Sequence, residues 1–153
     1  MANESPSAVD LLDDLDRRMQ SVPEPVPEPE HVGPEKLIAI NYQLGDGIVL
    51  QGDFVYRVPS VADRREIARY DAALRRGIPP ELLSEDARLL VWAEAYLLVT
   101  IRRFPEWADK DGRLSFDALA DPRPLRMLFE EAGEHERRFL GAGRDLRPSP
   151  KAS

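Results

Sequence analysis

Between Ser21 and Pro34 the chain reads Ser-Val-Pro-Glu-Pro-Val-Pro-Glu-Pro-Glu-His-Val-Gly-Pro, and no other stretch limits the fold as strongly. Proline removes a backbone donor at short intervals, so neither a helix nor a sheet ladder can run through it. The interspersed glutamates repel one another. The expected result is an extended, polyproline-like spacer. It sets off an acidic arm, residues 1–35, from residues 36–140, which must supply one modest hydrophobic core as a single α+β domain.

Charge follows the same division. Residues 1–35 hold nine acids and two arginines, so the whole net charge of −7 lies on the arm and the remainder is neutral. An acidic arm repels phosphate backbones and anionic lipid, and no basic stripe follows it, so neither nucleic acid nor membrane is the expected partner. The longest apolar run, Leu89 to Ile101, is interrupted by Glu94 and falls short of the ~20 residues a span needs. The acidic N-terminus lacks the basic patch of a secretion signal, and with no cysteine in the chain a cytoplasmic location is expected.

Within the arm, Ser7-Ala-Val-Asp10 has the form of a capping box, and Ala8, Leu12, Leu15 and Met19 fall on one helical face. A short amphipathic helix over residues 8–19 is expected in an otherwise disordered arm. So few turns do not hold a helix together alone in water, so the stripe is expected to dock, on this chain or on another protein.

From Lys36 the period becomes two. Ile38, Ile40 and Tyr42, a turn at Gly45-Asp46-Gly47, then Ile48 to Leu50, a second turn at Gly52-Asp53, and Phe54, Tyr56 and Val58 predict a small antiparallel meander closed by Pro59. Three helices are expected to follow as a mainly helical core. The first opens at a capping box, Ser60-Val-Ala-Asp63, and turns Ile67, Tyr70 and Leu74 inward. The second is capped by Ser84, runs to Phe104 before Pro105, and is apolar nearly all round, which makes it the central element. The third starts near Asp121 and presents Leu125, Leu128, Phe129, Ala132 and Phe139. Glycine and proline leave residues 141–153 as a disordered tail.

Residues with chemical potential are few. His31 lies in the spacer and His135 among Glu134, Glu136 and Arg137, a run read as a solvated helix face, as are Glu130 and Glu131. Asp109, Asp111, Gly112 and Leu114 resemble the middle of an EF-hand loop. Trp107 stands where the first ligand belongs and Ala118 where a bidentate glutamate belongs, so ordinary turn chemistry is expected and no metal. Trp92, Tyr96 and Phe104 at helical spacing read as core in preference to a ligand pocket. No catalytic residue and no cofactor is expected, and the chain reads as a binding protein and not as an enzyme.

The order of elements, with Gly52-Asp-Phe54-Val-Tyr56-Arg-Val58-Pro59-Ser60-Val-Ala-Asp63, Arg103-Phe104-Pro105-Glu-Trp107, and Leu128-Phe129-Glu-Glu-Ala-Gly-Glu-His-Glu-Arg-Arg-Phe139, resembles small tail assembly chaperones of tailed bacteriophages over residues 36–140. The resemblance implies a protein that binds the tape-measure protein, the tail-tube protein or both in the host cytoplasm while a phage tail is built. Accessible apolar side chains suit such work, and Leu12, Leu15 and Met19 on the arm, with Trp107 and Phe116 beside the loop, are the candidates. The alternative is a structural virion component, a connector or tail accessory protein, whose arm orders on neighbouring subunits.

Overall fold

A computed structural model describes residues 31–148. The expected arm helix with Leu12, Leu15 and Met19, and most of the spacer, lie outside the described residues. The described fold is α+β: a three-stranded antiparallel sheet with three main helices.

Strands β1 (Glu35–Gln43) and β2 (Val49–Arg57) form one long hairpin. The turn between them closes with Leu44 N–H on Ile48 O at 2.8 Å and Gly47 in the left-handed region at φ 90°, which glycine adopts without a Cβ penalty. Pairs Lys36↔Tyr56, Ile38↔Phe54, Ile40↔Gly52 and Tyr42↔Leu50 share one face. That face is covered: Ile38, Ile40, Leu50, Phe54 and Tyr56 are buried, whereas Leu37 and Val49 on the other face are exposed.

The second turn expected at Gly52-Asp53 does not form, and both residues continue β2. Gly52 is needed for a different reason. A Cβ there would lie 2.4 Å from Cβ of Pro105, so the bare backbone makes room for the proline ring that closes over the sheet. The third strand is therefore not part of a meander. It is β3 (Ile101–Arg103), which follows the second helix and pairs antiparallel with β2.

Helix α1 (Val61–Leu74) begins as expected. Ser60 Oγ accepts from Asp63 N–H at 3.1 Å, and Asp63 Oδ2 accepts from Ser60 N–H at 3.0 Å, so two N-terminal donors are satisfied reciprocally. The hydrogen bonds from Ser60 hold the Asp63 carboxyl below its ordinary range, with Arg102 and Arg57 adding to the effect. Ile67 is buried and Leu74 half-buried, but Tyr70 is exposed, correcting its assignment to the inner face. It lies at the edge of the stripe through Ile67, Asp71 and Leu74, and the Arg69 guanidinium sits 5.9 Å from its ring centroid.

Helix α2 (Glu85–Thr100) is capped by Ser84, whose Oγ accepts from Ala87 N–H at 3.2 Å. It stops four residues before the expected Phe104. Val99, Thr100 and Ile101 are β-branched and disfavour the helix, while the ladder to β2 offers Ile101 and Arg103 partners in extended geometry. Ala93, Ala95, Tyr96, Leu97 and Thr100 are buried, and Leu98 is half-buried, so the helix is central without being enclosed on every side.

The segment compared with an EF-hand is a small hairpin, β4 (Asp109–Lys110) and β5 (Arg113–Leu114). Asp111 and Gly112 turn it with φ of 56° and 81°, the two positive values that a two-residue Asp-Gly turn requires. Asp109 Oδ1 accepts from Gly112 N–H at 2.7 Å and so helps to hold the turn. Helix α3 (Arg123–Ala142) runs two residues beyond the expected boundary at Leu140 and packs Leu125, Leu128 and Ala132 into the core.

The compact unit also starts earlier than Lys36, at Val32. Pro34 O accepts from Val58 N–H at 2.8 Å, so residues assigned to the arm belong to the sheet's edge.

Candidate functional site

One side chain from each of four elements meets in a single polar chain. Tyr56 of β2 is fully buried, with its hydroxyl against that of Tyr96 on α2. Tyr96 O–H donates to Glu136 Oε2 of α3 at 2.8 Å, which leaves the Tyr96 oxygen to accept from Tyr56. The other Glu136 oxygen accepts from Arg64 of α1 at 2.5 Å. The bonds thus run in one direction, from the sheet through both phenols to a charged pair at the surface.

Burial sets the protonation of this chain. Desolvation pushes the Tyr56 hydroxyl up to about 12. Tyr96 is raised further, first by desolvation and also by the bond it donates to the Glu136 carboxylate. At neutral pH both tyrosines are uncharged donors, and the Glu136 side chain lies between Tyr96 and Arg64.

His135 stands beside them and was misread from its neighbours. It is buried, with its ring edge-on to Tyr56 at a centroid distance of 5.9 Å. Its Nε2 lies 2.8 Å from Gly33 O, and since a carbonyl can only accept, Nε2–H donates and pins the start of β1 to α3. The solvated-face reading also fails for Glu136, whose side chain is only 16% exposed. The spacing carried the information: His135 lies seven residues after Leu128, and Glu136 seven after Phe129, on the stripe that faces the core. Glu130, Glu131 and Glu134 are exposed, as expected of the opposite face.

Above the polar chain, the seam between α1 and α2 opens into two hollows that share Trp92. The first, of about 300 Å³, has Ile67, Tyr96 and Phe129 as apolar walls and Arg64, Glu136 and Arg137 at its rim. The second, of about 370 Å³, lies between Asp71 of α1 with Arg75 at its C-terminal cap and Glu85, Arg88 and Leu89 of α2. Trp92 is 42% exposed and Leu89 46%, so neither is the core side chain that helical spacing suggested for Trp92. Tyr96 is core and also lines the first hollow, while Phe104 is half-buried against the core.

The partner-binding residues expected beside the loop are placed differently. Phe116 is buried in the core cluster and offers no surface, which corrects its assignment. Trp107 is half-buried, edge-on to Phe54 at 5.5 Å, and its indole N–H donates to Gln51 O at 3.1 Å, so its ring closes the end of the sheet. Neither side chain lines the Trp92 groove.

Among the described residues no group of three or more His, Cys, Asp or Glu side chains is placed to hold a metal ion, and no helix is long and apolar enough to cross a membrane. The arrangement offers a polar chain running from the sheet to the surface, and an aromatic groove with charged edges. The chain matches no family model, no curated protein and no solved structure.

Proposed function

We propose that this protein is a non-catalytic binding protein of the tail assembly chaperone type, which holds the tape-measure protein, the tail-tube protein or both in the host cytoplasm while a phage tail is built. The observation that carries the binding role is Trp92, a large aromatic left partly in water between two apolar hollows and rimmed by charge. Such a residue is a natural anchor for a protein interface, since aromatic side chains at the centre of a patch supply most of its binding energy. The tail-assembly setting rests on the resemblance of the sequence over residues 36–140 to small tail assembly chaperones.

The size of the anchor can be bounded. A tryptophan buries roughly 200–250 Å² at most, so covering the exposed 42% removes about 100 Å² from water, worth about 2.5 kcal/mol. The test is co-expression with the tape-measure and tail-tube proteins of the same genome. Copurification by the wild type, and its loss in Trp92→Ala with the far-ultraviolet circular dichroism unchanged, is the expected result. Retention by the variant removes the groove from the binding role, and recovery of the chain in mature particles instead of free complexes replaces the chaperone with a connector or tail accessory protein.

A further inference from the structure

The groove around Trp92 carries an imbalance that narrows what it can hold. Its acids are answered within the chain. Glu136 meets Arg64, Asp71 meets Arg75 at 3.2 Å, and Glu85 lies in the first turn of α2, where the helix dipole favours negative charge. Two of its cations are not answered by acid. The Arg88 guanidinium donates only to a carbonyl, Pro80 O at 3.0 Å, and Arg137 lies over Gly133 with no carboxylate against it among the described residues. Both arginines are exposed, one at the rim of each hollow.

The dimensions fix a second property. Leu89 in one hollow and Tyr96 in the other are seven residues apart on α2, about 10 Å along the helix axis. Apolar side chains seven apart on a second helix have the same separation and share a face. The geometry points to an acidic amphipathic helix of a partner protein as the occupant of the groove: about three turns long, one apolar side chain in each hollow astride Trp92, and carboxylates against Arg137 at one end and Arg88 at the other. A basic helix would set like charges against both arginines, and a β-strand, rising about 3.3 Å per residue with alternating faces, puts side chains about 10 Å apart on opposite faces. The inference rests on the groove being a protein-docking surface and adds the chemistry of what docks.

A pair of synthetic helical peptides of about sixteen residues tests it, one with leucines seven apart and glutamates at both ends, the other with lysine at every glutamate position. Each is labelled with fluorescein and titrated into the full chain by anisotropy at low salt. The acidic peptide should bind at least ten-fold tighter than the basic one. Trp92→Ala should weaken it by about 30-fold or more, and the double variant Arg88→Glu with Arg137→Glu should invert the preference. Equal or better binding of the basic peptide overturns the acidic-helix assignment, and so does an unchanged affinity in Trp92→Ala, which would mean attraction by bulk charge. A concentration-dependent dimer of the full chain that Trp92→Ala abolishes would give the groove to a second copy and overturn it as well. The two readings fail separately: loss of the peptide preference with Trp92-dependent copurification of tail proteins ends only this inference, and the acidic preference without such copurification ends only the assembly role.

Discussion

Tyr96→Phe removes one oxygen that serves two hydrogen bonds, and the consequence can be worked from the buried chain. Tyr56 has no exposed surface and, among the described residues, no other hydroxyl partner, so its O–H is left unsatisfied, which costs about 1–3 kcal/mol. Glu136 loses a neutral donor but keeps Arg64 and some solvent, so that side adds only about 1 kcal/mol. The expected destabilisation is about 2–4 kcal/mol. Tyr56→Phe should cost less, about 1 kcal/mol, because Tyr96 still donates to Glu136 and its oxygen merely loses a donor. In the double variant no buried hydroxyl remains to be orphaned, so Tyr56→Phe should do no further harm, and should even relieve part of the loss, once Tyr96 is phenylalanine. Urea unfolding followed by circular dichroism on the four proteins measures this cycle, with equal m-values required before midpoints are compared. A double variant whose loss equals the sum of the singles within about 0.5 kcal/mol would show that the hydroxyls act independently, and the directed chain from Tyr56 to Glu136 would be wrong.

Leu97→Ala should cost about 2–5 kcal/mol in thermal or urea unfolding and Leu98→Ala clearly less, since Leu97 is fully buried and its neighbour only half so; equal losses would misplace the inner face of α2. Gly52→Ala should destabilise by about 1–3 kcal/mol although alanine ordinarily improves a strand, because the new Cβ meets the rigid Pro105 ring, and a raised melting temperature would contradict that contact. Tyr56 is raised to about 12 in the fold against about 10 in the unfolded chain, so its contribution is intact below pH 10 and is lost as pH rises through 12. Chemical unfolding across that window should therefore give a stability slope for Tyr56→Phe that is shallower than wild type by up to about 1.4 kcal/mol per pH unit, and identical slopes would place Tyr56 in water.

The parts of the fold that were legible in the sequence are those decided by neighbours a few residues away. Ser60 with Asp63, Ser84 before α2, and Asp111-Gly112 in the small hairpin act through bonds spanning two or three positions, and each stands where the sequence puts it. The errors arise where a distant contact decides. Gly52 beside Asp53 has the composition of a turn, and only Pro105, more than fifty residues on, shows that the glycine leaves room for a ring. Ile101-Arg102-Arg103 before Phe104 and Pro105 reads as the last turn of a helix with basic residues at its end, and the free ladder groups of β2 draw it into the sheet instead.

The candidate site was hidden by a different conflict, between composition and phase. Glu-His-Glu-Arg-Arg has the composition of a solvated face, yet on a helix the phase set by Leu125, Leu128 and Ala132 decides which of those residues turn inward. His135 and Glu136 fall on that phase, and they can be buried only because donors and acceptors converge on them: Gly33 O for the imidazole, Tyr96 and Arg64 for the carboxylate. Trp92 errs in the opposite sense. Its composition says core, but α2 has Tyr96, Leu97 and Ala93 to fill the space against the sheet, and α1 brings Ile67 and then Asp71 and Arg75 to the seam. A helix with so polar a side covers the tryptophan only in part, so the apolar surface left over on α2 is a consequence of the charge pattern on α1. That pattern is readable in the sequence only once the two helices are known to pack together.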